Sequence, residues 1–281
     1  MLGDPDPSDF IVRAEEYGVP QARHRLILLG VADHSSSPRL LQRQKKVTIE
    51  DAIGDLPRLR SGLSKQMDSG KAWCDALSEI RNASWMRDEK IGEILRREIG
   101  SLLKGVDAGL GRGSEWSTKA RRVLRAHREW YLDERLLGVC NHSTRSHIRE
   151  DIHRYFFVSA FARVHGRSPL LNDFPQALLP NHSNVAEALK KTKFNDRFRV
   201  QVAGRPATTV TSHISKDGHY FIHYDPRQCR SLTVREAARL QTFPDNYFFE
   251  GPRTQQYHQV GNAVPPYLAH QIANIVADLF H

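Results

Sequence analysis

The chain has 281 residues, with 41 Lys or Arg against 32 Asp or Glu, so its formal net charge is +9. This length suits one large or two modest domains, and the recurrence of Leu, Ile, Val and Phe along the chain excludes disorder throughout. No apolar run approaches the ~20 residues that span a bilayer, and residues 1–10 (MLGDPDPSDF) lack the features of a signal peptide, which predicts a cytosolic or nuclear protein without a membrane partner. The positive charge suits a polyanionic partner such as nucleic acid without establishing one.

The first interpretable segment covers residues 10–33. Within it, residues 26–31 (LILLGV) form a short apolar run, which predicts a strand buried on both faces. The preceding YGVP segment predicts a turn, because Gly18 tolerates unusual backbone angles and Pro20 disfavours a helix at the residue before it. A strand with an open apolar edge is a liability, so we expect the chain to need another polypeptide.

Between the turn and the apolar run, Gln21, Arg23 and Arg25 alternate along the chain. Alternate residues of a strand share a face, so these three side chains are predicted to point the same way. Arginine can bind carboxylates, phosphates and base carbonyls in bidentate fashion, and glutamine can read a base edge. Taken alone, the three residues are better explained as a salt-bridged strand end than as a nucleic-acid site.

The middle of the chain, residues 47–199, has a different character. Residues 85–103 and 119–137 show helical spacing with many arginines. Between them, GLGRG at residues 109–113 follows no predicted strand and lacks the glycine spacing of a dinucleotide-binding turn, so it is predicted to be a loop.

The cysteine and histidine patterns indicate neither a disulfide framework nor a metal centre. Cys74, Cys140 and Cys229 are too few and too scattered for a disulfide framework. The CNH segment that begins at Cys140, with His147 and His153 nearby, is the best metal candidate. It lacks the paired spacing of a zinc site, so no metal is predicted.

After residue 205 the chain is predicted to become β-rich. Residues 207–213 (ATTVTSH) and 219–224 (HYFIHY) are typical of strands, and they flank the turn sequence Lys-Asp-Gly at residues 216–218. This arrangement predicts a β-hairpin.

A helix is predicted to follow, because Thr233 and Glu236 match a capping box. Its apolar stripe consists of Val234, Ala237 and Leu240. Arg235 and Arg239 lie four residues apart on another face, where two like charges repel unless a carboxylate or a phosphate neutralises them.

The last segment predicts a second amphipathic helix. It starts with a polar turn, Gly-Asn-Ala at residues 261–263, and continues with Pro265 and Pro266, which suit the first turn of a helix. The apolar positions of this helix are Leu268, Ile272, Ile275, Val276 and Leu279. That face must pack against another surface.

Four segments, YGVPQARHR, RPATTV, RSLTVREAARLQTFPDNY and QVGNAVPP, resemble in the same order the carboxy-terminal motifs of DNA (cytosine-5) methyltransferases. The resemblance covers residues 10–33 and about 205–281, with a long variable stretch between them. It implies an α/β fold, in which a partial Rossmann-like, S-adenosylmethionine-dependent methyltransferase domain is joined to a mixed α+β target-recognition domain. Residues 1–46 would end the catalytic domain, 47–204 would form the largely helical target-recognition domain, and 205–281 would return to the catalytic domain.

The resemblance also implies roles for individual residues. Gln21, Arg23 and Arg25 would line the catalytic pocket, where the two arginines hold a flipped cytosine. The implied wall of the S-adenosylmethionine pocket consists of Asn262, Ala263 and Val264. The implied contacts with DNA are Thr208, Thr209, Arg230, Arg235 and Arg239. The segment that contains the last three would also organise the target-recognition domain against the catalytic domain.

In that family's reaction a cysteine thiolate adds to C6 of the flipped cytosine, a glutamate stabilises the ring, and C5 then attacks the methyl group of the cofactor. The sequence lacks the family's Pro-Cys-Gln nucleophile loop, its Phe-x-Gly-x-Gly cofactor loop and its Glu-Asn-Val segment. Most of the catalytic domain is therefore expected to lie outside the chain. The chain alone is expected to bind DNA weakly and to methylate nothing.

These observations favour the carboxy-terminal portion or subunit of a DNA (cytosine-5) methyltransferase, located in the bacterial cytoplasm and linked to restriction–modification. The implied partners are double-stranded DNA, an amino-terminal methyltransferase half, and a cognate restriction endonuclease. One alternative is a non-catalytic, DNA-binding remnant of a truncated methyltransferase gene. Another is an unrelated DNA-binding regulator, which is disfavoured because no compact helix-turn-helix is recognisable. The DNA sequence that is recognised cannot be inferred from the variable stretch.

Overall fold

The computed structural model describes residues 6–32, 37–118, 124–180 and 195–280. In these ranges the α-helices are α1 (Ile49–Ile53), α2 (Gly70–Ser78), α3 (Glu93–Lys104), α4 (Arg128–Tyr131), α5 (Arg149–His165), α6 (Val234–Leu240), α7 (Arg253–Asn262) and α8 (Pro266–Ala277). The strands are β1 (Ile11–Arg13), β2 (Gln21–Ala22), β3 (His24–Leu26), β4 (Gly62–Leu63), β5 (Gly113–Thr118), β6 (Gly138–Ser143), β7 (Ser146–His147) and β8 (Ala207–Thr208). Within the described ranges, no helix combines the length and the hydropathy that crossing a membrane requires.

Local sequence signals explain where several helices begin. The hydroxyl groups of Thr48 and Ser69 accept hydrogen bonds from backbone N–H groups in the first turns of α1 and α2. At α6, the side chains of Thr233 and Glu236 cap each other's backbone N–H groups, which confirms the predicted capping box. These contacts satisfy backbone donors that the helices themselves leave unpaired.

The strands of the described ranges form four pairs rather than one continuous sheet. β1 pairs with β3 and β5 with β6 in antiparallel fashion, whereas β2 pairs with β8 and β4 with β7 in parallel. The β2–β8 pair aligns Gln21 with Ala207 and Ala22 with Thr208. It therefore brings the first predicted motif against the second, although the two are far apart in the chain.

Three groups of buried apolar side chains hold the described parts of the molecule together. The largest forms where α2, α3 and α5 meet, around fully buried rings such as those of Trp73 and Phe157. The second combines α1, β8, α6 and α7, so it joins residues 47–56 to the carboxy-terminal part of the chain. The third is small and packs Leu268 of α8 against Val19, which confirms that one face of the predicted last helix is covered.

The prediction of a strand buried on both faces at residues 26–31 is wrong. β3 ends at Leu26, residues 27–31 adopt no regular structure, and the side chain of Leu28 is 86% exposed. β3 pairs only with β1 among the described residues, so no second strand and no covering layer buries the apolar run.

The predicted hairpin is also wrong. The backbone N–H of Ala207 donates to the carbonyl of Pro20 at 2.9 Å, so the first predicted strand pairs with β2 instead of with residues 219–224. Ile222 bridges to Val200 and Ser231 instead. Only the prediction of a turn at residues 216–218 agrees with the structure, because Gly218 has a φ of +78°, in the left-handed region that glycine tolerates.

The helical spacing of the middle region is only partly confirmed. In residues 85–103, the α-helix begins at Glu93, and a short 3-10 turn precedes it. Residues 119–123 of the second predicted helix lie outside the described residues, and the rest of that segment is α-helical only in α4. The polar turn predicted at residues 261–263 is also shifted, since Gly261 and Asn262 form the last turn of α7.

Candidate active site and DNA interface

Gln21 is fully buried and ties β2 to α6. Its amide nitrogen donates to the carbonyl of Leu240 and to Oε1 of Gln241, both at 2.8 Å. Its amide oxygen accepts from the backbone N–H of Val210 at 2.9 Å. Because the nitrogen and the oxygen of the carboxamide both form hydrogen bonds inside the protein, the predicted contact of Gln21 with a base does not agree with the structure. Gln21 instead fixes β2, which directly precedes Arg23.

Arg23 and Arg25 lie next to each other where the chain passes from β2 to β3. Nη1 of Arg23 donates to the carbonyl of Val210 at 3.0 Å, and the exposed Arg25 donates to the carbonyl of His24 at 2.6 Å. Burial, together with the nearby charge of Arg25, lowers the pKa of Arg23. Among the described residues, neither guanidinium is paired with a carboxylate. The two arginines therefore do not form the salt-bridged strand end, although His24 between them contacts Glu15 at 2.9 Å. Within the described residues, both cations are left available to an anionic or carbonyl-bearing ligand.

A cavity of about 490 Å³ lies beside this strand. Ala22, Thr208 and Thr209 line it, together with Arg199, His213 and Tyr220. The hydroxyl of Thr209 donates to the carbonyl of Ala22 at 2.6 Å, which holds the two segments together. Two of the residues predicted to contact DNA thus lie at a concave surface next to the predicted catalytic strand.

Arg230, also predicted to contact DNA, is buried in an internal ion pair. Its Nη1 and Nη2 donate to the two carboxylate oxygens of Glu236 at 2.6 and 2.7 Å. Its Nε donates to the carbonyl of Leu59, and Nη2 also reaches Oε1 of Gln228. Burial raises the pKa of Glu236, but the charge and hydrogen bonds of Arg230 outweigh burial and hold that pKa well below its usual value.

Arg235 and Arg239 are fully buried as well. Arg239 binds the carboxylates of Asp55 and Asp245, whereas Arg235 donates to the carbonyls of Cys140, Pro244 and Tyr247. Two arginines and two aspartates make this cluster electrically balanced, as the four-residue spacing of the arginines requires. The prediction that Arg230, Arg235 and Arg239 contact DNA is therefore wrong, because their guanidinium groups are used to hold α6 inside the protein.

The three residues predicted to contact the cofactor lie at the end of α7. The side chains of Asn262 and Val264 are exposed, Val264 by 64%, and Ala263 is half-buried between them. An amide beside apolar groups suits a ligand with both polar and apolar parts, so these residues fit one wall of such a site. The exposure of Val264 shows that the described residues do not close a pocket around it.

The cysteines have the character of packed thiols. Burial raises the pKa of all three, Cys74, Cys140 and Cys229, and so disfavours the thiolate that nucleophilic attack requires. His142 lies near Cys140 but is held between the hydroxyl of Thr233 and the carbonyl of Pro57. No group of side chains suited to a metal ion is found in the described parts of the chain.

Arg199, His213 and Tyr220 were not predicted as site residues, because they line the cavity from segments outside the recognised motifs. Single arginine, histidine and tyrosine residues carry no spacing signal. Their closeness to the RPATTV segment was the only available indication.

The family model described as C-5 cytosine-specific DNA methylase matches residues 9–277. The type II methyltransferase M.Bpa9945I of Bacillus paralicheniformis is 35% identical over 277 residues, which are 96% of this chain and 51% of the relative. The DNA (cytosine-5-)-methyltransferase M.ApeKI of Aeropyrum pernix is 27% identical over 96% of this chain and 59% of its own length. The chain thus spans about half the length of these relatives.

These matches agree with the mixture of helices and strands in the structure and with the predicted α/β methyltransferase fold class. Because the family model covers almost the whole sequence, the chain belongs to the C-5 cytosine-specific DNA methylase family.

Proposed function

We propose that the chain is the carboxy-terminal portion or subunit of a DNA (cytosine-5) methyltransferase of a restriction–modification system. It would act in the bacterial cytoplasm on double-stranded DNA, with a cognate restriction endonuclease as its cellular counterpart. The observation that carries the proposal is the pair Arg23 and Arg25, two arginines without carboxylate partners in the described chain, beside the cavity at β2 and β8. Relatives named type II methyltransferases support it.

In this proposal the chain's own residues bind and orient the target base. Arg25, which is exposed, donates to the carbonyl oxygen of a flipped cytosine, where it favours the negative charge that develops on the ring. Arg23 is anchored on Val210 and adds a second positive charge at short range. Residues 47–204 form the target-recognition domain that faces the DNA grooves.

Asn262, Ala263 and Val264 provide one wall for S-adenosylmethionine, and that cofactor supplies the methyl group when it is bound. The exposed amide of Asn262 can donate to or accept from polar atoms of the ligand, and Val264 offers apolar contact. The remaining walls come from a second polypeptide segment.

The nucleophile also comes from that second segment. Attack on the ring requires a thiolate, and burial raises the pKa of each of the three cysteines of this chain. In this proposal the chain alone is inactive. An amino-terminal methyltransferase half supplies the thiolate and the glutamate.

The surface for this partner is an apolar ribbon next to the arginines. Phe10, Ile11 and residues 26–29 expose large apolar side chains, and Ile11 is paired with Leu26 across the two strands. A contiguous exposed apolar patch on an unpaired strand edge marks a place where another chain pairs. Partner strands added at β3 would bury this ribbon.

The experiment is transfer of radiolabelled methyl groups to mixed-sequence duplex DNA. It compares the chain alone with the chain mixed with the amino-terminal half of the Bacillus paralicheniformis relative. The two halves of that relative serve as the positive control. Activity in the heterologous mixture alone supports the proposal, whereas labelling of the DNA by the lone chain would show that this chain supplies a nucleophile of its own. Activity of the control without activity of the mixture would favour a non-catalytic DNA-binding remnant.

A further inference from the structure

The cavity beside β2 and β8 has walls that the proposed chemistry of the flipped cytosine does not use. Arg199, His213 and Tyr220 line it, and the lining contains no carboxylate among the described residues. Thr208, Thr209 and Thr211 add hydroxyl groups. The surface is therefore rich in hydrogen-bond donors.

Two backbone hydrogen bonds and one ion pair hold Arg199 at the cavity. The N–H of Arg199 donates to the carbonyl of His219 at 2.8 Å, and its carbonyl accepts from the N–H of Ile222 at 3.0 Å. Asp196 pairs with Nη2 of the guanidinium, and the described residues provide no partner for its Nη1 and Nε, which can donate to a ligand. The ion pair with Asp196 thus orients the guanidinium of Arg199.

Gln201 connects two walls of the cavity. This buried amide accepts from the N–H of Thr208 at 2.9 Å and donates to the carbonyl of Tyr220 at 2.9 Å. The ring of Tyr220 in turn lies edge-on to the ring of His213, with centroids 5.6 Å apart. The contacts fix the spacing between the threonine segment and the aromatic segment.

We propose that this cavity reads the edge of a DNA base, with Arg199, His213 and Tyr220 as the specificity-determining side chains and Gln201 as a positioning residue. An arginine fork flanked by a hydroxyl and an imidazole matches the paired acceptors on the edge of guanine. A phosphate could use the same donors, but it would be bound equally in every sequence. This inference rests on the proposed function, because it takes the cavity to face DNA.

The test selects bound duplexes from a pool with a randomised centre, using the full chain at low ionic strength, and sequences them. Arg199→Lys keeps the positive charge but removes the fork, so it is expected to reduce the preference for guanine at one position by roughly tenfold. Tyr220→Phe and Gln201→Met are expected to weaken the preference at the same position or its neighbour. Total binding to the pool should stay within about twofold for all three variants, because most phosphate contacts remain.

The control is Arg97→Lys, at an exposed position of α3 in a surface pair with Glu93. If Arg199→Lys and His213→Ala select duplexes with the base preferences of the wild type, the inference is overturned, although DNA binding itself would stand. If His213→Ala weakens binding to all sequences equally, the cavity contacts phosphate instead of a base, and the inference is also overturned. If the wild-type chain binds no duplex at all, the proposed function itself fails, which is a distinguishable result.

Discussion

Arg239 and Asp245 form a two-contact ion pair in the interior of the protein. Nε and Nη2 of Arg239 donate to the two carboxylate oxygens of Asp245 at 2.7 and 2.6 Å, and Nη1 reaches Asp55 at 2.7 Å. Burial works to lower the pKa of Arg239, but the two carboxylates raise it above its usual value. One side chain thereby fastens α6 to α1 and to the turn that follows α6.

Replacing Arg239 with Met is expected to destabilise the fold strongly. The change removes the cation that binds Asp55 and Asp245 inside the protein, and removing one partner of a buried pair costs about 3–5 kcal/mol. Urea unfolding followed by circular dichroism measures the difference. Arg97→Met is the matched control at an exposed pair and should change stability by less than about 1 kcal/mol. Similar unfolding midpoints for both variants would contradict the structural role of Arg239.

Some features of α6 were predictable from the sequence, and others were not. The capping box at Thr233 was predictable because its partner, Glu236, is three residues away. The need for a counter-charge at Arg239 was also predictable from the spacing of the arginines. The identity of that counter-charge was not, because Asp55 lies 184 positions away and only folding brings it close.

The same reason explains the failed strand predictions. Strand propensity at Ala207 was real, but its partner is β2, and the 2.6 Å contact of Thr209 with Ala22 spans 187 positions. Residues 26–31 have the composition of a buried strand, yet burial depends on neighbouring strands that the described chain does not provide. Local patterns therefore located the motifs correctly but could not assign their partners.

Stability is expected to fall as the pH decreases from about 6.5 to about 4, in part because of His142. This imidazole is fully buried, and burial, opposed by the charge of Glu236, lowers its pKa to about 4. Between these pH values the unfolded chain binds a proton at this residue and the folded protein does not. The contribution of neutral His142 to stability is therefore fully present above about pH 6.5 and is lost toward about pH 4. The shift corresponds to roughly 3 kcal/mol.

Free energies of unfolding in urea at pH 7.5, 6 and 5 measure this dependence. His142→Asn should reduce the slope of the unfolding free energy against pH by the equivalent of up to one proton, because the titrating group is gone. His270→Asn, at an exposed position, is the control and should retain the wild-type slope. An unchanged slope in His142→Asn would show that other groups carry the effect.

Arg25→Ala is expected to lower methyl transfer in the mixture with an amino-terminal half by at least about a hundredfold, since a donor to the reacting base is lost. DNA affinity should fall by less than about threefold, because many phosphate contacts remain. The unfolding midpoint should not change, as the side chain is exposed. Arg23→Ala should differ by losing stability too, because its buried contact with Val210 disappears. Equal losses of turnover and binding in Arg25→Ala would assign Arg25 to the DNA backbone.

Leu28→Asp is expected to prevent activity in the same mixture without affecting the folding of the chain. Leu28 is 86% exposed, so a charge is tolerated in the free chain but would be buried against the proposed partner. Co-purification with the amino-terminal half and methyl transfer both report the effect. Met67→Asp, at an equally exposed position on the proposed target-recognition domain, should leave both unchanged. Full activity of Leu28→Asp would place the partner on another surface.

Gly261→Ala is expected to destabilise the protein, whereas Gly100→Ala is expected to stabilise it. Both glycines are helical, but a methyl group on Gly261 would overlap the backbone of Thr211 and Ser212, which cannot move away as a side chain can. A methyl group on Gly100 of α3 meets nothing within 4 Å, so that substitution gains about 0.5–1 kcal/mol from helix propensity. Thermal unfolding of the two variants measures the opposite shifts. Since Gly261 lets α7 lie directly on the segment that lines the cavity, Gly261→Ala should also weaken DNA selection, and a stable variant with wild-type selection would disprove this close contact.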